Sequence, residues 1–179
     1  VADGWYYAPH DILGPPLGDE SITVRTLRRL ADKVFIETSE GRTEAVHEHR
    51  GIWRAVLPGT DTFDYRVVSV YGGVEHRSDD PYRFLPTVGE MDIYLFNEAR
   101  HEKLWKALGS HVRSFPSKLG TVHGTSFAVW APHAKAVRVT GEFNGWDGSV
   151  HAMRTLGGSG IWELFIPGAS EGERYKYEI

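Results

Sequence analysis

The sequence predicts a mainly β protein: two tandem immunoglobulin-like β-sandwiches joined by a linker and one helix. Three observations carry that prediction. A nonapeptide, Gly51-Ile52-Trp53-Arg54-Ala55-Val56-Leu57-Pro58-Gly59, recurs as Gly160-Ile161-Trp162-Glu163-Leu164-Phe165-Ile166-Pro167-Gly168, and such internal similarity is the mark of a repeated structural unit. Apolar and polar residues alternate with period two around both copies, which is the signal of half-buried strands. The composition, with 20 Gly, 6 Trp, 8 Tyr and 8 Phe in 179 residues, is aromatic, turn-rich and poor in helix formers, as in a sandwich of short strands.

In chain order, Ser21-Ile22-Thr23-Val24-Arg25 and Lys33-Val34-Phe35-Ile36 parallel Ser126-Phe127-Ala128-Val129-Trp130 and Ala136-Val137-Arg138-Val139. After each nonapeptide comes an aromatic strand, Phe63-Asp64-Tyr65-Arg66-Val67 or Tyr175-Lys176-Tyr177-Glu178-Ile179. Trp53, Ala55 and Leu57 share one face; Trp162, Leu164 and Ile166 share another, with Glu163 on the polar side. Gly72-Gly73 marks a hairpin, and Asn144-Gly145 supplies residues that accept positive φ. Asp80-Pro81-Tyr82-Arg83-Phe84-Leu85-Pro86 reads as extended linker, since each proline disfavours helix at the residue before it. From about Asp92 to Leu108 the spacing of Tyr94, His101, Leu104, Trp105 and Leu108 predicts a helix, capped by Asp92, ended by Gly109, and laid on a sandwich face. The expected units are 1–88, 89–119 and 120–179. The strand pattern runs to Ile179 with no turn or polar tail after it, so the chain reads as a piece of a longer protein.

Composition excludes several classes. Cysteine is absent, which removes disulfides, thiolate zinc sites and a Cys nucleophile, and fits a reducing, cytoplasmic setting. Twenty Lys and Arg against 24 Asp and Glu give a net charge of −4, with no basic stripe for nucleic acid. No apolar run approaches the roughly 20 residues of a membrane span. There is no nucleophile elbow, and Gly157-Gly158-Ser159-Gly160 lacks the lysine and helix start of a phosphate loop. No cofactor is implied. His47-Glu48-His49 puts two imidazoles on one strand face, but spacing suggests no third ligand, so a solvated edge is expected and no metal.

The stretch Gly124-Thr125-Ser126-Phe127-Ala128-Val129-Trp130-Ala131-Pro132-His133-Ala134, with Val139-Thr140-Gly141-Glu142-Phe143-Asn144-Gly145-Trp146-Asp147, resembles carbohydrate-binding module family forty-eight. Upstream, Tyr7-Ala8-Pro9-His10-Asp11-Ile12-Leu13-Gly14 is similar to the opening of bacterial glycogen branching enzymes. Still closer are Asp80-Pro81-Tyr82-Arg83-Phe84, the run from Leu85 to Phe96, Asn97-Glu98-Ala99-Arg100-His101-Glu102-Lys103-Leu104-Trp105, and Leu108-Gly109-Ser110-His111. Pro15-Pro16 departs from the opening motif. The resemblance implies the N-terminal region of a branching enzyme, whose chemistry cuts α-1,4 bonds and rejoins them as α-1,6 branches on a separate (β/α)₈ barrel. A barrel needs roughly 250 residues, and retaining chemistry needs paired carboxyls about 5 Å apart; neither motif is present, so no catalytic residue is assigned and this region alone is expected to be inactive. The partners implied are α-1,4-glucan (glycogen or maltooligosaccharide) and the catalytic barrel of the same parent chain. A stand-alone glycogen-targeting scaffold, or the front of a debranching enzyme or trehalohydrolase, are the alternatives.

Trp146 is the leading carbohydrate-binding candidate, because an indole offers a flat polarisable face to the axial C–H groups of glucose. Asn144 is near enough to exchange bonds with sugar hydroxyls. Lys176 lies on the polar side of its strand, and the resemblance implies that this tryptophan and this lysine touch sugar. The bland alternative is that Trp146 only covers a sandwich edge. Trp53, Trp130 and Trp162 are expected in cores, and Trp105 as helix packing. Trp5, Tyr6 and Tyr7 are expected to staple onto the first sandwich, His10, His101 and His111 to sit at junctions, and Asp61, Asp64, Asp79 and Asp80 to occupy turns.

Overall fold

A computed structural model describes residues 2–4, 6–14, 21–58 and 64–179; Trp5, Pro15-Pro16, Gly59, Asp61 and Phe63 lie outside the described residues. The first unit contains β1 (Ser21–Leu27), β2 (Lys33–Thr38), β3 (Gly41–Glu44), β4 (Val46–His49), β5 (Ile52–Pro58), β6 (Arg66–Tyr71) and β7 (Val74–Asp79). Helix α1 (Glu90–Asn97) comes next. The second unit contains β8 (Gly109–Phe115), β9 (Val122–Trp130), β10 (Arg138–Gly141), β11 (Arg154–Thr155), β12 (Ile161–Pro167) and β13 (Tyr175–Glu178). Each unit is a pair of antiparallel sheets. They run β1-β5-β4 over β3-β2-β6-β7 in the first unit, and β11-β12-β9-β8 over β10-β13 in the second.

The repeat is real at the level of hydrogen bonds. Strand β5 pairs with β1 so that Trp53 faces Thr26, and β12 pairs with β9 so that Trp162 faces Val129. In both copies the indole N–H donates 3.0 Å to a carbonyl two residues beyond that partner, Arg28 in one and Ala131 in the other. Arg28 N donates to Gly51 O and Ala131 N to Gly160 O, and each of these glycines has a positive φ, 80° and 74°. The register equates Thr26 with Val129, two residues away from the alignment that the strand sequences alone suggest. The two tryptophans are 9% and 3% exposed and anchor separate cores.

The copies differ in their outer cover. In β5 burial alternates, whereas Ile161 to Ile166 in β12 are buried on both faces. One face carries Trp162, Leu164 and Ile166 into the sandwich core. The other is roofed by the linker: Phe84 and Phe115 set their rings 4.7 and 4.9 Å from Phe165, and Val88, Ala107 and Leu108 pack with Ile161 and Ala128. Glu163, expected on a polar face, is therefore wholly buried. Its carboxylate accepts from Arg154 Nε at 2.9 Å and from Thr87 N and Oγ1 at 3.2 and 2.8 Å. Arg154 also donates to Phe84 O.

The same parity corrects Trp130. It shares a face with Ala128 rather than Phe127, so it stands at the rim of the roofed side, edge-on to Phe96, and is 54% exposed. The helix is shorter than predicted. Gly89, not Asp92, precedes its first turn, and Ala99 ends it in the left-handed region (φ 54°) with Ala99 N bonded to Phe96 O and Arg100 N to Leu95 O, the paired bonds of a Schellman stop. A separate short turn spans Leu104–Lys106, and Gly109 opens β8 instead of closing a helix. Ile93 and Phe96 meet the roofed face, while Tyr94 points outward and Trp105 is 66% exposed, so neither is the packing residue expected. The N-terminal segment meets both sandwiches: Thr155 N of the second donates to Tyr7 O and Leu13 enters the second core, while Gly14 bridges Arg25 of β1 in the first.

Two linker residues reach opposite cores. Asp80 caps the 3-10 turn Pro81–Arg83, as a turn residue, and is fully buried there; it accepts from Tyr65 OH in the first sandwich at 3.2 Å and from Tyr82 N at 3.0 Å. The Tyr82 ring enters the second core, where its hydroxyl donates toward Ala152 O and Val150 O at 3.2 and 3.3 Å.

Removing one member of a buried ion pair leaves the other charge without compensation, at a cost of about 3–5 kcal/mol, whereas replacing both by apolar side chains is close to neutral. Glu163→Ala should therefore destabilise the chain severely, and the double replacement Arg154→Met with Glu163→Leu should restore most of the loss. Urea unfolding of the three proteins checks this; a double variant no more stable than Glu163→Ala would mean that the pair is not the source of the effect.

Candidate functional site

The segment between β10 and β11 is built as a chain of short locked turns. After Gly141, Glu142–Asn144 forms a 3-10 turn that closes with Gly145 at φ 60°. A Cβ on Gly141 would lie 2.6 Å from Arg174 O, so only glycine fits against β13 there. Trp146 comes next at φ 64°, and its N–H donates 2.9 Å to Gly141 O. A bulky aromatic residue rarely adopts the left-handed region, and such conformations persist where the surroundings impose them. Here the imposing groups are visible. The Asn144 side chain accepts from Gly141 N at 2.9 Å and donates to Val139 O at 3.0 Å and to His151 Nδ1 at 2.9 Å. Asp147 accepts from Ser149 N at 3.0 Å and from its hydroxyl.

Trp146 is thereby presented half-exposed, 45% by area, on a turn held by these bonds. Lys176 sits exposed on β13, opposite Thr140 of β10, on the strand pair from which the Trp146 turn departs. Tyr175 and Tyr177, the alternate residues, point inward; Tyr175 lies edge-on to Phe127 at 4.9 Å, and the Tyr177 hydroxyl donates to Ala128 O. Among the described residues Lys176 has no ion-pair partner. Arg174 is bolted to Glu142 by its backbone N–H at 3.0 Å and by side-chain bonds of 2.9 and 2.6 Å, which tie the start of β13 to the turn; the backbone bond first, and then the side-chain bonds, hold the Glu142 carboxyl below its usual range. Asn144, expected to face sugar, has its amide engaged inside the turn.

Sequence reasoning misses the contribution of the first sandwich. Arg29, in the β1–β2 connection, donates 2.7 Å to Ser149 Oγ, lies 3.7 Å from Asp147 and reaches Ala2 O. No local pattern signals a contact across so much chain. His151 is also missed: burial, and then the field of Arg28, push it down to about 4, so it is neutral and its Nδ1 can accept from Asn144. His10, edge-on to Tyr82, is pushed down to about 3 by burial and by Arg154. His111 Nε2 donates to Leu108 O at 3.0 Å, and His101 meets Asp92 at 2.8 Å. His47 packs edge-on to Trp53 and accepts from Gly51 N. Among the described residues no group of three or more His, Cys, Asp or Glu is placed to hold a metal ion. No helix among them is long and apolar enough to cross a membrane.

Residues 107–179 match the family model of carbohydrate-binding module 48, described as the isoamylase N-terminal domain, and residues 1–82 match that of the N-terminal domain of the alpha-1,4-glucan branching enzyme GlgB. The chain belongs to the branching-enzyme family, as its N-terminal region. It is 52% identical over 94% of its length to a 1,4-alpha-glucan branching enzyme of Thermobifida fusca, of which it covers 23%. With the enzymes of Leifsonia xyli subsp. xyli and Mycobacterium tuberculosis the identities are 47% and 46%, over 100% and 98% of this chain and 25% and 24% of theirs. The chain thus spans about a quarter of the length of the curated relatives it matches. The expected module of family forty-eight is the second sandwich, and the branching-enzyme N-terminal domain is the first.

The two depressed histidines set a pH dependence. Each has a folded value below the ordinary 6.5, at about 4 for His151 and about 3 for His10, so the unfolded chain binds more protons at mildly acid pH. Stability is then full above about pH 6.5 and falls as the pH drops toward 4 and 3. Carboxylates such as Glu142 and Asp147, held low by Arg174 and by Ser149, add their loss in the lower part of that window, as the pH falls below their ordinary 4.5 and 3.8. The thermal midpoint should be lower at pH 4.5 than at pH 7, and the combination of His10→Phe with His151→Gln should flatten that slope. An unchanged slope in a folded double variant would assign the dependence to other groups.

Proposed function

We propose that this region holds α-1,4-glucan on the second sandwich and positions the catalytic part of a branching enzyme, whose parent cuts α-1,4 chains and rejoins them as α-1,6 branches. The observation that carries the reading is Trp146: a half-exposed indole fixed in a left-handed conformation by a fully bonded turn. A residue that merely covered an edge would not need that conformation. Fixing the ring beforehand removes the ordering cost that a mobile side chain would incur on binding. Lys176 supplies hydroxyl-directed donors from the neighbouring strand, and Asn144 acts indirectly, by shaping the turn. The first sandwich supports the platform through Arg29. The cytoplasmic setting belongs to this reading, in keeping with the use of intracellular glucan and with a chain that has no cysteine.

Stacking on a shallow aromatic platform adds about 0.5–1.5 kcal/mol beyond the area buried, and such open sites bind weakly, with Kd on the order of 0.1–1 mM. Trp146→Ala should weaken retention on a glycogen affinity gel by about tenfold, in line with that stacking energy, and leave the thermal midpoint near that of the parent. Trp162→Ala should instead unfold the module, as a core truncation costing roughly 3–5 kcal/mol. Full retention by a folded Trp146→Ala would move the glucan site elsewhere.

No acid pair of the retaining kind has been assigned in these 179 residues, and branching activity is expected to be absent from them. Incubation with amylose followed by iodine staining checks this. A fall in absorbance relative to a heat-killed control would contradict the assignment of catalysis to the rest of the parent chain.

A further inference from the structure

A cleft of about 870 Å³ lies between the two sandwiches, walled by Arg28, Arg29, Arg50, Tyr71 and Ser78 of the first and by Phe143 and the Asp147–His151 turn of the second. Its volume is in the range of small-molecule sites. Its charges do not cancel. Of the acidic groups on its wall, Asp79 is already shared by Arg83 at 3.2 Å and Arg66 at 3.8 Å, and Asp147 is met by Arg29 at 3.7 Å. Arg50 has Asp3 at 3.6 Å, both well exposed. Arg28 has only neutral partners among the described residues: its guanidinium donates to Leu27 O at 2.8 Å and Ser78 Oγ at 3.0 Å. A guanidinium carries five N–H donors, so the remaining ones are unspent.

We propose that this cleft binds a phosphate monoester of a hexose, its phosphate held by Arg28 with support from Arg50, and its ring lying between Tyr71 and Phe143. A guanidinium fork matches two phosphate oxygens at once, which makes arginine the natural partner of such an anion. The aromatic walls and the Ser78 hydroxyl suit a sugar better than a bare ion. His151 lines the same cleft and feels Arg28, since that field is one of the two causes that keep it neutral. Asp147 forms part of the wall and comes directly after Trp146 in the chain. The same chemistry therefore comes from two sources, a free hexose phosphate or a phosphate ester carried on a glucan chain. The cleft stands on its own residues and does not depend on Trp146.

The test is calorimetric titration of the 179-residue chain with glucose 6-phosphate, glucose, inorganic phosphate, and amylopectin before and after phosphatase treatment. Binding of glucose 6-phosphate, with glucose silent and inorganic phosphate weaker, supports the proposal with the free sugar phosphate as source. Tighter binding of untreated than of phosphatase-treated amylopectin, with glucose 6-phosphate silent, supports it with the polymer as source. Arg28→Gln should weaken whichever binding is seen by at least about tenfold, the scale of a charge-assisted pair. Arg50→Asn, which keeps a residue tolerant of the left-handed backbone at that position (φ 46°), should weaken it less, and Trp105→Ala, at an exposed residue outside the cleft wall, should leave it unchanged. Should Arg28→Gln fail to fold, Arg50→Asn and a potassium chloride series on the parent decide, because phosphate binding must weaken with salt. Silence toward every ester, equal response to inorganic phosphate, or unaltered binding by a folded Arg28→Gln would overturn the proposal.

Discussion

A carboxylate shut away from water organises the middle of this molecule. Once β12 is buried on both faces, Glu163 has no solvent to satisfy it, and the structure must provide a cation and N–H donors at fixed positions. It does so with Arg154 from the adjoining strand and Thr87 from the linker. Because Arg154 also holds Phe84 O, the linker is pinned at two points, with the Phe84, Phe115 and Phe165 rings packed beside them. The roof over the second sandwich results from that pinning, and with it the path of the chain from one unit to the other.

The two units show how one motif can serve different surroundings. The Gly-Ile-Trp signature makes the same indole-to-carbonyl bond and the same glycine-to-strand bond in both. Beyond the tryptophan the two strands diverge: Arg54 and Val56 meet solvent or the sheet edge, whereas Glu163 and Phe165 meet the linker. A duplicated strand was thus kept on its inward face and rewritten on its outward one, in register with the layer that came to lie on it.

The sequence makes legible whatever depends on local period. Trp53 and Trp162 are placed correctly because each sits in a run whose inward residues alternate over seven positions, and Gly72-Gly73 because two positive φ values in a row have few other solutions. The features it hides depend on non-local cover. Trp130 has the same alternating neighbours as Trp162, but its parity sends it to the far face, which only the register between β9 and β12 reveals. Glu163 and Asp80 look like surface carboxylates because nothing nearby announces the layer above them. The predicted helix overruns its end because Ala99 is a good helix former by composition, yet it adopts the left-handed stop. At the candidate site, the turn at Asn144-Gly145 is legible from its residue types, while the contacts of Arg29 and His151 are not, since they arise from segments that meet only in the folded chain. The amide of Asn144, expected to turn toward sugar, is bonded within the turn, to Gly141, Val139 and His151.

Asp80 and Tyr82, two residues apart, have a consequence for how the molecule comes undone. One anchors a buried hydroxyl of the first core, and the other contributes its ring to the second. Opening either sandwich drags a group out of its neighbour, so the free energy of opening is shared across the boundary rather than held separately on each side. Amide protons in β6 and in β9 should then exchange through a common global event, and the pair behaves as a single folding unit despite its two cores.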